Sequence, residues 1–163
     1  MTAVMERTDV APVSPELVFD QRAGGLFVVN IAGNVVDVQV GASIDYAVNS
    51  LGSRLVIVMG HSGCGVVAAA MSSGRRGEAK QRIDSLSMPL RQIVTAVSDL
   101  HRGADDASRL ARGIEANVRF GVTRIRRSGA LAELVDQGAL VVVGAILDWP
   151  TGCVRVLDGP PER

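Results

Sequence analysis

The segment 140–147 is apolar throughout, and it constrains the fold more than any other part of the chain. Its residues are Leu-Val-Val-Val-Gly-Ala-Ile-Leu, a run of strand length. A strand that is apolar on both faces is typical of the centre of a parallel sheet covered by helices on each side. The segment therefore predicts an α/β fold built around such a sheet.

Apolar runs of strand length alternate with segments of helical period along the rest of the chain, which also indicates an α/β fold with a mainly parallel sheet. Strands are predicted at 26–30, 54–59, 140–147 and 154–157, with a short first strand at 2–5. Helices are predicted at 15–19, 40–51, 65–71, 79–100 and 105–127. The length of 163 residues and the hydrophobic content of 47% suit one core, so a single domain over residues 1–163 is expected.

The charge balance and the cysteine content narrow the functional class. Seventeen basic and seventeen acidic residues cancel, so neither nucleic acid nor a membrane surface is expected as a partner. No apolar stretch reaches the roughly 18 residues of a membrane span, and residues 1–10 are too charged for a signal peptide. A cytoplasmic location is expected. In that reducing compartment, Cys64 and Cys153 are interpreted as one thiol site and one buried structural thiol.

The segment 60–65, Gly-His-Ser-Gly-Cys-Gly, combines a histidine and a cysteine directly after a predicted strand. Ligands of open α/β sheets bind beyond the carboxyl ends of strands, where glycines expose backbone N–H groups. Cys64 also precedes a predicted helix, whose dipole favours the thiolate form that binds metals or acts as a nucleophile. His61 and Cys64 thus supply half of a zinc site, because zinc requires three or four protein ligands.

A purely structural interpretation of the same residues stays open. His61 then forms a hydrogen bond within its loop, and Cys64 fills a gap under the following helix. Free cysteine is among the most buried residue types, which supports this alternative. A serine nucleophile at Ser62 is excluded, because the G-x-S-x-G turn needs glycine where Cys64 stands.

Seven segments share a family pattern in one order and at matching spacing. They are residues 15–21, 26–29, 32–36, 43–48, 60–65, 115–118 and 141–145. Together they closely resemble the β-class carbonic anhydrases over residues 13–158. The resemblance implies a three-layer α/β subunit that dimerises and holds zinc through Cys, His and Cys. It also implies an aspartate that alternates between binding zinc and pairing with an arginine.

The resemblance assigns roles to individual residues of this chain. His61 and Cys64 match two zinc ligands, and the backbone N–H of Gly65 matches the group that steadies the substrate oxygens. Phe27 and Tyr46 match apolar pocket residues that are contributed across the dimer interface. The implied reaction is reversible hydration of CO2 to bicarbonate by a zinc-bound hydroxide, because zinc brings the pKa of its water to about 7.

The family motif C-x-D-x-R is absent from its expected place before residue 13. Counted back without gaps, Thr8 stands at the cysteine position, Val10 at the aspartate and Pro12 at the arginine. Asn30 replaces the basic residue that usually follows the Phe-Val-Val strand. The N-terminal helical arm that wraps the partner subunit is also expected to be absent.

Three hypotheses follow from this departure. The first is a carbonic-anhydrase-like protein with lost or impaired zinc catalysis, which persists as a homodimer, a higher homo-oligomer or a hetero-oligomer with a complete homologue. The second is an active zinc carbonic anhydrase in which Asp9, or a ligand from another subunit, joins His61 and Cys64; Thr8 is a poorer third ligand. The third is a metal-free role, with Cys64 as a reactive thiol or the turn 60–65 as a small-anion site.

The position of the first strand makes a further structural prediction. The family's first strand lies inside the sheet, so residues 2–7 must fill that place or leave unpaired strand edges. Cys153, at the start of the last predicted strand, is expected to lie away from the segment 60–65.

Overall fold

The computed structural model describes residues 3–7, 14–74, 88–97 and 105–157. Within these residues one sheet contains β1 (Ala3–Arg7), β2 (Leu26–Asn30), β3 (Leu55–His61), β4 (Val141–Leu147) and β5 (Val154–Val156). The strand order is β2-β1-β3-β4-β5. The first four strands are parallel, and β5 runs antiparallel to β4. The predicted α/β class with a mainly parallel sheet is confirmed.

Six α-helices and one 3-10 turn connect these strands in the described ranges. They are α1 (Pro15–Val18), the 3-10 turn Ala32–Asn34, α2 (Val38–Asn49), α3 (Gly65–Gly74), α4 (Met88–Ala96), α5 (Asp106–Arg126) and α6 (Gly129–Asp136). The helix α4 lies within the predicted helix 79–100, whose residues 79–87 and 98–100 are outside the described residues. The sequence did not predict α6.

Side-chain caps set the start of three helices. The backbone N–H of Leu17 donates to Ser14 Oγ (3.4 Å), and α1 begins at the predicted residue 15. Asp37 accepts from the N–H of Val40 (2.8 Å), so α2 begins two residues before the predicted start. Asp105 accepts from the N–H of Ser108 (2.9 Å) and begins α5 at the predicted position.

The strand β1 lies inside the sheet. Ala3 is paired with Leu26 of β2 on one side, and Val4 is paired with Val56 of β3 on the other. The expectation that the chain's first residues fill an internal strand position is therefore confirmed. Backbone N–H and C=O groups on both sides of the strand make these pairs.

The core forms where α5 packs against the centre of the sheet. The helix α5 has an apolar stripe that is buried at Ile114, Val118, Val122 and Ile125. A Cβ atom at Gly60 or at Gly144 would lie only 2.8 Å from a methyl group of Val118. Glycine at these two positions of β3 and β4 therefore lets the helix approach the sheet closely.

The opposite face of the sheet is also apolar. Ile57 and Met59 point to this face, whereas Val56 and Val58 of the same strand point toward α5. Val18, Phe19 and Trp149 pack against this second cluster. The strand β3 is thus buried on both sides, as a central parallel strand requires.

Two other sequence-based expectations have outcomes in the fold. Cys153, just before β5, is exposed, so its interpretation as a buried thiol is wrong. It precedes a strand at the edge of the sheet, where side chains remain open to solvent. Among the described helices, none combines the length and the apolar character that crossing a membrane requires.

Candidate functional site

The candidate site begins at the carboxyl ends of β3 and β4. His61 is the last residue of β3 and is paired with Leu147, the last residue of β4. The N–H of Ser62 donates to the Leu147 carbonyl oxygen (2.9 Å), which continues the strand pairing by one residue. Gly63 then adopts a positive φ of 72°, a conformation that glycine takes without strain, and the chain turns into α3.

Cys64 lies at the N-terminus of α3. Its carbonyl oxygen accepts the N–H of Ala68 (3.1 Å), the first hydrogen bond of the helix. Its side chain is only 3% exposed and belongs to a buried apolar cluster with Val67 and Ala70. This is the packing that the structural interpretation of the cysteine predicts.

The thiol of Cys64 nevertheless has a lowered pKa. Burial raises the pKa, but a hydrogen bond with His61 and hydrogen bonds from the backbone of Val67 and Val66 lower it by more. Backbone N–H groups in the first turn of a helix favour negative charge, as the sequence suggested. The site therefore combines a buried sulfur with an environment that favours its thiolate form.

Trp149 is the site residue that the sequence analysis missed. Its indole Nε1–H donates to His61 Nδ1 (2.9 Å), and its backbone N–H donates to Ser62 Oγ (2.9 Å). The indole and imidazole ring centroids are 5.7 Å apart in an edge-on arrangement. His61 Nδ1 also lies 2.9 Å from the carbonyl oxygen of Ser62, as the structural interpretation of the histidine predicts. The turn after β4 therefore fixes the imidazole from outside its own loop.

The described donors do not complete a zinc site. His61 and Cys64 are brought together, but in the described ranges no group of three His, Cys, Asp or Glu side chains is arranged to hold a metal ion. Zinc requires three or four protein ligands. Any further ligand must come from outside these ranges or from another subunit. Residues 8–12, including Thr8, Asp9, Val10 and Pro12, lie outside the described residues; β1 ends just before them.

The remaining predicted site residues lie on other elements. Phe27 on β2 and Tyr46 on α2 form a ring pair with centroids 6.4 Å apart. Tyr46 is 53% exposed, which leaves its ring accessible at the surface of one chain. Gly65 is the first residue of α3 and is exposed. Within one chain the structure thus brings together two pairs, His61 with Cys64 and Phe27 with Tyr46.

A family model described as carbonic anhydrase matches residues 11–154 of the chain. Carbonic anhydrase 2 of Mycobacterium tuberculosis is 35% identical over an alignment that covers 96% of this chain and 74% of that protein. Among solved structures, the β-carbonic anhydrase CcaA superposes with a TM-score of 0.81 at 22% identity, covering 96% of this chain and 79% of that one. A tetrameric β-carbonic anhydrase from Sordaria macrospora gives 0.77 at 22% identity, with coverages of 96% and 80%.

Proposed function

Because this chain belongs to the β-class carbonic anhydrase family, we propose that it is a carbonic-anhydrase-like subunit whose hydration of CO2 is lost or impaired. One observation carries the proposal: within the described residues the candidate site contains only two zinc donors, His61 and Cys64. The family reaction depends on zinc, which supplies a hydroxide at neutral pH when it is bound by a sufficient ligand set.

The residues at the motif positions support the same proposal. Thr8 offers a hydroxyl in place of a thiolate, Val10 an alkyl group in place of a carboxylate, and Pro12 a ring in place of a guanidinium. A neutral hydroxyl is a poor zinc ligand at neutral pH, so His61 and Cys64 would bind a metal far less firmly than a full set. The buried packing of Cys64 and the contact of Trp149 with His61 give both candidate ligands structural roles that need no metal.

We further propose that the chain functions as an oligomer. One structural relative is described as tetrameric, which supports a homodimer or a higher homo-oligomer. Two large apolar side chains, Leu17 (76% exposed) and Val38 (84%), lie open on the surface of the single chain. A hetero-oligomer with a complete homologue would bury the same exposed apolar side chains at its interface. The cytoplasmic location stays a prediction.

Metal analysis of the purified chain together with a CO2 hydration assay tests the proposal. We expect zinc well below one ion per chain, and hydration no faster than in buffer. Zinc near one ion per chain, with turnover that disappears in Cys64→Ser, would contradict the loss of activity. Cys153→Ser is the matched control, because that exposed cysteine is not a candidate ligand.

A substitute ligand is the second candidate function, and the pairing of His61 with Cys64 favours it. Asp9 would complete a set of nitrogen, sulfur and oxygen donors, with CO2 and bicarbonate as the substrates. Zinc content in Asp9→Ala tests this hypothesis, with Asp136→Ala on α6 as a carboxylate control. Unchanged zinc in Asp9→Ala rules out Asp9 as a ligand.

A metal-free role for Cys64 is the third candidate. The lowered pKa of its thiol supports a reactive thiolate, whereas its 3% exposure limits the access of reagents. The turn 60–65 stays a candidate small-anion site through its glycines, which expose backbone N–H groups. Alkylation at neutral pH, followed by peptide mass spectrometry, compares it with the exposed Cys153. Faster modification of Cys64 supports a reactive thiol, and modification of Cys153 alone contradicts it.

A further inference from the structure

We propose that Trp149 is a positioning residue that holds His61 in the tautomer with its proton on Nε2, which disfavours binding of zinc. This inference deepens the proposed function, since it adds an obstacle to zinc that is separate from the missing motif residues. The inference concerns His61 and Cys64, the candidate ligands that the chain has. The replaced C-x-D-x-R motif concerns the ligands that it lacks.

Two neighbours of His61 Nδ1 require opposite protonation states. The indole Nε1 of Trp149 lies 2.9 Å away and carries only a hydrogen, so it can only donate. The carbonyl oxygen of Ser62, also 2.9 Å away, can only accept. Nδ1 must present a lone pair to the first and a hydrogen to the second. A neutral imidazole can therefore satisfy one of these neighbours but not both.

The geometry favours the bond from Trp149. A hydrogen on Nδ1 would point toward the indole hydrogen across 2.9 Å and would leave the half-buried indole donor without this acceptor. The backbone N–H of Trp149 is also bonded to Ser62 Oγ, so the indole cannot move away without disturbing the turn. The Ser62 carbonyl has two lone pairs and belongs to a half-buried residue, so water can replace the imidazole as its partner.

The tautomer of His61 determines whether its second ring nitrogen, Nε2, carries a hydrogen or offers a lone pair. With Nδ1 unprotonated, Nε2 carries the hydrogen and has no lone pair to offer a metal ion. Metal-binding histidines use the opposite arrangement, in which the second nitrogen donates its hydrogen to a backbone carbonyl or carboxylate. For His61 that acceptor would be the Ser62 carbonyl. Trp149 and Ser62 therefore favour competing states of the same ring.

Trp149→Phe tests the inference, because it removes the indole donor and keeps an aromatic ring at this position. Long-range 1H–15N NMR spectra of the imidazole identify the tautomer, and His101→Gln leaves His61 as the only histidine. We expect the Nε2–H form in the parent protein and a shift toward the Nδ1–H form in Trp149→Phe. Zinc affinity, measured by competition with a chromophoric chelator, should rise about three- to tenfold, the effect of one opposing hydrogen bond.

Thr151→Val is the matched control, because it removes the Thr151 bond to Asp148 (2.6 Å) in the same turn without changing the indole. It should change neither the tautomer nor the zinc affinity. A parent protein in the Nδ1–H form after chelator treatment overturns the inference, and this result does not depend on the folding of any variant. An Nε2–H form in the metal-free protein, together with zinc uptake and CO2 hydration once zinc is added, overturns the proposed function instead.

Discussion

The centre of the sheet and its carboxyl edge differ in what they retain of the family pattern. At the centre, α5 packs against β3 and β4 with Val118 opposite Gly60 and Gly144, and its apolar stripe is buried. At the edge, His61 and Cys64 are held together, but the positions that the family resemblance assigns to the other motif residues carry Thr8, Val10 and Pro12.

The difference shows that packing and chemistry have separate requirements. Many side-chain contacts contribute to the burial of α5. The loss of one contact therefore lowers the free energy of unfolding without abolishing the fold. A zinc site depends on three or four donors, and the loss of one removes much of its function. A chain can therefore keep the packing of a fold at positions where its metal ligands are replaced.

Restoring the motif is the strongest test of this separation. The triple variant Thr8→Cys, Val10→Asp and Pro12→Arg should raise zinc content to about one ion per chain and give measurable CO2 hydration. The affinity should increase by more than the roughly 100-fold effect of changes outside the ligand shell. Metal analysis and stopped-flow hydration measure both.

The control for the restored motif is the double variant Val10→Asp and Pro12→Arg, which keeps Thr8. It should gain little zinc, because the missing thiolate is still absent. If the triple and the double variant both contain little zinc, the carboxyl edge of the sheet must retain a further obstacle to zinc binding. Trp149→Phe should then be added to the triple variant.

Filling the space beside Val118 should damage the centre of the sheet. Gly144→Val would place its Cβ 2.8 Å from a Val118 methyl group, so we expect the free energy of unfolding to fall by about 3 kcal/mol. Urea denaturation measures the change. Gly41→Ala in α2, with no atom within 4 Å of the added Cβ, should be neutral or stabilising by up to about 1 kcal/mol. Similar losses in both variants would contradict the role of close packing at Gly144.

A smaller loss is expected for the buried amide that links α5 to the 3-10 turn. Asn117 Nδ2 donates to the Gly33 carbonyl oxygen (2.8 Å) and to Asn34 Oδ1 (3.0 Å). Asn117→Ala leaves these acceptors without their donor and should lower the free energy of unfolding by about 2 kcal/mol. Asn49→Ala, which removes one exposed bond to Asp45, should cost less than about 0.5 kcal/mol. Equal urea midpoints for the two variants would show that the buried amide stabilises the fold no more than the exposed one.

The smallest effect is expected at the surface, where Glu115 of α5 pairs with Arg119 and Arg155. The hydrogen bond from Arg119 lowers the pKa of Glu115 against the opposing effect of burial, and Arg155 lowers it further. Because the folded pKa is lowered, the stabilisation is present above the unfolded pKa and is lost as the pH falls through the folded pKa.

Glu115→Gln should therefore cost about 0.5 kcal/mol at neutral pH, and less in high salt because these charges are partly exposed. In acid, below the folded pKa, the variant and the parent should unfold at the same urea concentration. Glu133→Gln on α6 is the control for a change of net charge. A difference between Glu115→Gln and the parent that persists in acid would exclude the ion pairs as its source.

The parts of the fold that the sequence predicts well are those with a strong local pattern. The strand β2 occupies the predicted residues 26–30, and α5 follows an apolar stripe that begins at an Asp105 cap. The helix α6 was missed because it is short, buries only Leu131 and begins at Gly129, which has a positive φ of 41°. Such a glycine ordinarily indicates a turn.

The sequence predicts only those residues of the candidate site that lie close together along the chain. His61 and Cys64 follow from their spacing, whereas the contact of Trp149 with His61 depends on the pairing of β3 with β4. That register joins residues 88 positions apart and leaves no local signal. The exposure of Cys153 likewise depends on the position of β5 at the sheet edge.

The internal position of β1 has a consequence for how the chain folds. Val4 is paired with Val56, 52 positions further along the chain, so this parallel pairing closes a long loop before it gains contacts. Long-range parallel pairing slows folding, since the entropy of the loop is lost before the strand is stabilised. The docking of β1 between β2 and β3 is therefore expected to limit the refolding rate, and weakening it should slow refolding more than it accelerates unfolding.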